Sequence, residues 1–377
     1  MLGNYTVKNG KIVYVGNKIQ KEFDGVADKV FAATESSKML QDFARDKHYK
    51  HLHAIDNSVF DASVDYFRSI GASWCNLPLT TKMISSPGEV YAGKKLDYTT
   101  DALPVELNWF DAGSIFLAES SQFYLEMRLI IEELSQVYSI YNSFRKEKVD
   151  FSHLAEFQHI EYEGKVDMEK NIEILLGLIR HITNYILKNN REDLSYYLTD
   201  DEIELLETSF DPENIERLTF RQALDILAKE LHDDKYKTYS LKHFGSYEEV
   251  ALTRILNKHC LVTEFPVEEI PFYHVGGIVD ENGKQYAKNA DLILLGYREV
   301  IGSGQRITDL DAIRKKAEFF NLPSEDYEPY INMRKLDSYK TTSGFGLGWQ
   351  RYTQWLLKMP YIWQMSHVPR SEHEPKP

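Results

Sequence analysis

Cysteine is almost absent: Cys75 and Cys260 are the two among 377 residues, and they stand far apart. That excludes a disulfide framework and a zinc ribbon, and it fits free thiols in a reducing, cytoplasmic setting. No apolar run reaches the ~18 residues of a membrane-spanning helix. The first residues, Met1-Leu2-Gly3-Asn4-Tyr5, lack the basic-then-apolar order of a signal peptide. Positive charge is scarce too. With 44 Lys and Arg against 58 Asp and Glu, the net charge is −14. Such a balance argues against a broad phosphate-binding surface while leaving room for a local basic groove. Internal repeats and low-complexity tracts are missing. What remains is 43% hydrophobic and 27% charged, a globular composition long enough for one large domain or two smaller ones.

Periodicity places the elements. Tyr5-Thr6-Val7 and Ile12-Val13-Tyr14-Val15 flank the turn signal Asn9-Gly10 and predict a hairpin over residues 5–15. Phe60, Val64 and Phe67 share one face of a helix expected from Asn57 to Ile70, with Gly71 as its stop. Ser73 to Pro78 reads as a strand broken by proline. Residues 109–130 carry a strand, the polar knot Glu119-Ser120-Ser121-Gln122 and an amphipathic helix, and strands follow on each side of residue 150. Ile172, Leu175, Ile179, Ile182 and Ile186 recur at three–four spacing, so a helix runs from Asp167 to about Lys188. Residues 189–240 are charged and mostly helical, the pattern of a solvated insertion. Strands return near 261–265, 272–275 and 291–295, and a final helix starts around Trp349. Hairpins and long excursions predict an α+β fold, an antiparallel sheet with helices on its faces.

Two arginines in separate rigid settings stand out. Arg145 ends the apolar stretch Val137, Tyr138, Ile140, Tyr141 and Phe144, so its head can project from a sheet into a cleft. Arg351 follows Gly344-Phe345-Gly346-Leu347-Gly348, where alternate glycines let the backbone approach a ligand. Guanidinium forks bind phosphate oxygens in pairs, and two of them can hold a bent, tri-anionic ATP from both sides. Taken singly, a strand-end arginine is more often a surface ion pair, and alternate glycines more often pack a sheet. The segment from Asp291 to Arg306 adds two acids, Asp291 and Glu299, ahead of Gly302 and Gly304. Hard carboxylate oxygens on strands suit the Mg²⁺ that accompanies ATP, against the plainer reading of an acid-rich hairpin. His153 and Glu156 stand at helical metal-ligand spacing, but their neighbours alternate like a strand and no third ligand is evident.

Together and in this order, Phe144-Arg145-Lys146-Glu147 with His153-Leu154-Ala155-Glu156-Phe157, and Gly344 to Arg351, resemble motifs 2 and 3 of class II aminoacyl-tRNA synthetases. The likeness is greatest to the asparaginyl enzymes and runs from about His51 to Arg370. It implies the class II synthetase fold, with a helical, acidic insertion at about 167–240. By this resemblance Arg145 holds the α-phosphate, Glu147 reads the adenine edge, His153 lies near the γ-phosphate and Phe157 stacks under adenine. Arg351 covers the opposite face and reaches the γ-phosphate, with Gly348 in the same ATP site. Arg145 and Arg351 become the catalytic residues, and Glu299 with Asp291 the Mg²⁺ ligands. Phe116 to Glu126 is similar to the strand and helix start that hold the amino acid. Gln122 is then at the α-amino end and Arg306 at the side-chain carbonyl. Aspartyl enzymes of the archaeal type place a lysine where Leu125 stands, whereas here Glu126 follows it. A carboxylate accepts from an amide and repels a carboxylate, which points to asparagine as substrate or product. The Asn57–Pro78 region is similar to motif 1, which implies a homodimer.

The departures shape the expected activity. About fifty residues precede the resembling part, too few for the five-stranded oligonucleotide-binding barrel of asparaginyl and aspartyl enzymes. The loop from Glu147 to His153 is short and has Ser152 where the family usually has arginine. In synthetases this loop addresses the acceptor end of tRNA. The expected organisation is 1–50 as a short extension with the hairpin, 51–370 as the catalytic domain and 371–377 as a frayed tail. The expected function is an ATP-dependent, AMP- and pyrophosphate-forming ligase, like the asparagine synthetase related to asparaginyl enzymes. It would activate aspartate or asparagine as an acyl adenylate and pass the acyl group to ammonia or a small amine without tRNA. The alternative is a minimal asparaginyl-tRNA synthetase that charges tRNA. A catalytically silent regulator that senses an amino acid or binds a partner is a third reading, set back by the retention of Arg145, Glu147, Glu299 and Arg351.

Overall fold

A computed structural model of the chain describes residues 2–15, 36–87, 90–91, 103–111 and 113–372. In chain order the strands are β1 (Tyr5–Lys8), β2 (Lys11–Tyr14), β3 (Ser73–Trp74), β4 (Thr80–Thr81), β5 (Val105–Leu107), β6 (Ile115–Leu117), β7 (Gln136–Phe144) and β8 (Glu156–Gly164). They continue as β9 (Ile215–Thr219), β10 (His259–Thr263), β11 (Gly276–Val279), β12 (Gln285–Ala287), β13 (Asn289–Ile293), β14 (Glu299–Gln305) and β15 (Ser343–Gly348). One 8-stranded sheet dominates, in the order β3-β7-β8-β15-β14-β13-β10-β9. Its interior is antiparallel, as expected, while the edge strands β3 and β9 run parallel to their neighbours.

Alternation along each strand gives this sheet two unlike faces. In β8, Ile160 and Tyr162 enter the core, with Tyr162 stacked on Phe67 and Phe345. Behind them the Met168–Asn189 helix buries Ile172, Leu175, Ile179, Ile182 and Ile186, and Asp167 caps it by accepting from the Lys170 amide at 2.9 Å. The Lys47–Ser69 helix packs beside it and stacks Phe67 on Tyr138, with ring centroids 4.4 Å apart. Each buried Leu or Ile contributes about 1.5–3 kcal/mol. This apolar layer holds the sheet rigid and leaves its other face to polar side chains.

The hairpin, the helix from 167 and the helix at Trp349 fall where the periodicity puts them. The helix expected from Asn57 already begins at Lys47, because Asp46 caps it there by accepting from the His48 amide at 2.9 Å. The strand expected over 73–78 shrinks to Ser73–Trp74, and 272–275 is a turn with one bridge from His274 to Arg306. Prolines at 78 and 271 explain both, since each removes a ladder donor.

Residues 189–240 depart most from expectation. This stretch is no solvated insertion: β9 pairs with β10 at the sheet edge, and the helices Arg191–Tyr197, Asp200–Glu207 and Phe220–Leu231 bury Leu194, Tyr197, Ile203, Leu206, Leu224 and Leu227. Most of its charges sit on outer faces, while Asp193 and Glu202 pair inward with His51 and Lys358, so composition hides the amphipathicity. The N-terminal hairpin is likewise docked on the main body. Tyr5 stacks on Tyr297 at 5.6 Å and donates its hydroxyl to the Pro360 carbonyl at 2.5 Å. Asn4 donates to the Gln354 and Met359 carbonyls at 2.9 and 3.1 Å. Beyond Glu372 the expected tail lies outside the described residues. No helix among the described residues is long and apolar enough to cross a membrane.

Candidate active site

The polar face of the sheet floors a cleft of about 980 Å³. Gln122, Arg145, Glu147, His153, Phe157, Asp291, Glu299, Arg306, Gly348 and Arg351 all line it. The floor is glycine where space is short: a Cβ at Gly344 would collide with the Glu163 carboxylate and the Gln122 amide.

At one end lie the two arginines. Arg145 follows β7, and its amide donates to the Ala155 carbonyl at 2.9 Å. Its guanidinium lies 5.2 Å from the Phe157 ring centroid and 3.9 Å from the Glu147 carboxylate, and Nε is buried with no hydrogen-bond partner. Arg351 sits in the first turn of the Trp349–Leu356 helix and donates Nη1 to the Glu299 carbonyl at 2.9 Å. Its Nε reaches the Ser152 carbonyl at 3.4 Å. Neither guanidinium has a short carboxylate contact among the described residues, which leaves both charges for an anion.

His153 joins the same end. Its Nδ1 is 2.9 Å from Asp150 Oδ1 and its Nε2 is 3.1 Å from Arg298 Nη1. Arginine only donates, so Nε2 accepts, and the proton rests on Nδ1 facing Asp150. A neutral imidazole agrees with burial, which pushes its pKa down. Burial pushes Asp150 up, but hydrogen bonds from His153 and the Ser152 amide outweigh it and hold the carboxyl below its usual range. Arg298 also donates to Ser152 Oγ at 2.8 Å and to Glu249 at 2.9 Å. Glu156 opens β8 and accepts from Asn142 at 2.7 Å, so the helical metal pairing with His153 does not exist.

Two carboxylates meet above Gly302. A Cβ there would lie 2.9 Å from Glu299 Oε1 and 3.7 Å from Asp291 Oδ1. Burial pushes the Asp291 carboxyl well above its usual range, and the charges of Glu299 and Glu249 add to that. An acid pair under such repulsion fits a hard divalent cation such as Mg²⁺. Among the described residues no three His, Cys, Asp or Glu side chains form a metal cluster, so phosphate oxygens and water would complete the shell.

The opposite end is paired within the protein. Arg306 donates Nη2 to Glu163 Oε2 at 2.7 Å and Nε to Oε1 at 3.0 Å, and both side chains are buried. Gln122 Nε2 donates to the Tyr162 carbonyl at 2.7 Å and to Glu163 Oε2 at 2.5 Å. Glu161 accepts from Ser120 Oγ at 2.6 Å and from the Tyr141 hydroxyl. Burial pushes its carboxyl up to about 7 against those hydrogen bonds. Glu126 does not line the cleft. It accepts from Tyr330 at 2.5 Å, Tyr339 at 2.7 Å and Arg334 at 3.2 Å, so its carboxylate is satisfied behind the site. The preference for asparagine argued from Glu126 therefore loses its basis.

Sequence reading missed Glu161, Glu163, Arg298 and Asp150. The signal for the two glutamates is plain in retrospect. Counting by twos from Phe157 along β8 places His159, Glu161 and Glu163 on its face of the sheet.

Comparison with known proteins fits this picture. The family described as tRNA synthetases class II (D, K and N) matches residues 39–372. The asparagine–tRNA ligase of Thermus thermophilus is 29% identical over 278 residues, which are 72% of this chain and 61% of the ligase. The chain thus spans about three fifths of that relative. The Thermoplasma acidophilum asparagine–tRNA ligase is 27% identical over 341 residues, 88% of this chain and 72% of the relative. In fold, the asparaginyl-tRNA synthetase of Pyrococcus horikoshii complexed with asparaginyl-adenylate superposes with a TM-score of 0.74 at 23% identity, covering 96% of this chain and 77% of that one. The family match spans most of the chain, and the chain belongs to the class II tRNA synthetases of the D, K and N group.

Proposed function

We propose that this cleft joins ATP to aspartate or asparagine as an aminoacyl adenylate, releases pyrophosphate, and passes the acyl group to tRNA. The carrying observation is that one cleft holds Arg145 and Arg351 without short carboxylate partners and, beside them, the Asp291–Glu299 pair. A substrate carboxylate oxygen attacks the α-phosphorus, and the bond to the bridging oxygen of pyrophosphate breaks. No protein base is needed, because positioning and charge stabilisation do the work. Arg145 faces the α-phosphate and Arg351 the γ-phosphate, while Phe157 and Glu147 take the face and edge of adenine. Mg²⁺ held by Glu299 and Asp291 would offset phosphate charge. Gln122 and Glu161 take the α-ammonium, and Arg306 a side-chain oxygen.

The names of the relatives favour tRNA as acceptor. A second reading, ammonia or a small amine, draws on the Glu147–His153 loop. Val149, Phe151, Ser152 and Leu154 are buried, and Arg298 ties Ser152 down, so the loop folds inward. A homodimer belongs to the same proposal. Phe60 of the Lys47–Ser69 helix and Trp74 of β3 are 48% and 60% exposed, which suits apolar contact with a second copy.

ATP–pyrophosphate exchange without tRNA, with each amino acid in turn, tests adenylate formation. Exchange is expected with one of them, and exchange with neither refutes the proposal. Transfer of labelled amino acid to tRNA, or release of an amide with ammonia, then decides between the two acceptors.

A further inference from the structure

The turn at 272–275, set where a strand was expected, carries His274 into the amino-acid end of the cleft. His274 is 8% exposed, and its backbone bridges that of Arg306. Its Nδ1 is buried with no hydrogen-bond partner among the described residues. Its Nε2 lies over Gly304, where a Cβ would stand only 2.7 Å away, so glycine makes room for the ring. A buried N–H without an acceptor is rarer and costlier than a bare ring nitrogen. The proton therefore belongs on Nε2, which makes this nitrogen a donor at the cleft floor. Burial, with Arg306 and Lys316 nearby, pushes the imidazole well below its usual pKa, so it stays neutral.

The balance of donors and acceptors at this end then bears on the substrate. Arg306 and His274 both donate. Glu163 already accepts from Arg306 and Gln122, and Glu126 accepts from Tyr330, Tyr339 and Arg334 behind the cleft. Two donors suit the two oxygens of a carboxylate, whereas a carboxamide also needs an acceptor for its NH₂. We propose that His274 contacts the substrate and, with Arg306, selects a side-chain carboxylate over a carboxamide, so that aspartate is preferred to asparagine. This rests on the adenylation reading above.

The test is the KM of each amino acid in ATP–pyrophosphate exchange. Parent protein should show a lower KM for aspartate. His274→Phe keeps a ring and removes the donor, and should raise the aspartate KM about 10- to 100-fold, the effect of a hydrogen bond to a charged group. The ATP KM should not move. His274→Asn, which restores a donor, should recover part of the loss. Gly304→Ala attacks the same contact from the other side and should reproduce the aspartate defect. Preference for asparagine in the parent, or an unchanged aspartate KM in His274→Phe, overturns the assignment. So does an equal rise in the ATP KM, which marks a packing defect. Exchange with neither amino acid refutes adenylation itself. Calorimetric titration of aspartate and asparagine into parent and variants would then still decide the role of His274, and equal affinities would overturn it.

Discussion

Arg351, at the proposed nucleotide end of the cleft, gives its guanidinium to backbone carbonyls, whereas Arg306, at the proposed amino-acid end, is locked to Glu163 at 2.7 Å. The acids differ in the same way. Among the described residues Asp291 and Glu299 have no cation in hydrogen-bond contact, while Glu126 is satisfied by Arg334 and two tyrosines. In the proposed reading, one end keeps its charges for a polyanion and a metal ion. The other neutralises them internally and offers fixed hydrogen bonds to a small polar group. Affinity for a tri-anion comes from charge, but discrimination between side chains of similar size comes from which donors and acceptors are left over.

This contrast can be broken from either side. Removing Arg306 should cost the most stability, about 3–5 kcal/mol in chemical denaturation of Arg306→Met, because Glu163 is left as an unpaired buried charge. The pair replacement Arg306→Met with Glu163→Met should regain most of that and still lack exchange activity. At the nucleotide end the signs reverse. Arg145→Ala should slow exchange about 10²- to 10³-fold, as loss of a preorganised charge does, with a stability change within about 1 kcal/mol.

Smaller effects sharpen the line between the ends. The Glu161 carboxyl is raised from 4.5 to about 7, so its contribution to stability is full below pH 4.5 and lost as pH rises through about 7. Binding runs the other way, since an α-ammonium needs the ionised form. The amino-acid KM should rise about 10-fold between pH 8 and 6, and Glu161→Gln should flatten that profile. Least of all, Asp291→Asn should stabilise the magnesium-free protein by about 1 kcal/mol through relief of like charge. It should also abolish the rise in melting temperature that Mg²⁺ with ATP gives the parent.

The same division explains what the sequence disclosed. Arg145 and Glu299 lie at or next to strand ends, Arg351 in the first turn of a helix and Asp291 within β13; at each, residue type and local spacing carry the information, and all reach one cleft. Two of their elements were legible for the same reason, since β7 and the Trp349–Leu356 helix follow local periodicity, whereas β15 reads in the sequence only as a glycine-spaced segment. Glu126 was misplaced because its partners Tyr330, Arg334 and Tyr339 lie some two hundred positions away. His274 stayed invisible because its setting depends on Gly304 in another strand. β9 was lost within a charged stretch, since a five-residue edge strand has little hydrophobic signal of its own.

The place of β15 has a consequence for how the chain is made. This strand follows every other strand of the sheet in chain order, yet it lies between β8 and β14, at the middle of the sheet. Until residues 343–348 leave the ribosome, β8 and β14 each present an unpaired edge. The nascent protein therefore waits as two half-sheets with open flanks, the form most prone to pairing with a neighbour. Arrival of Gly344 to Gly348 seals both edges and brings Arg351 to the cleft in one step, so closure of the sheet and completion of the proposed nucleotide site are a single event.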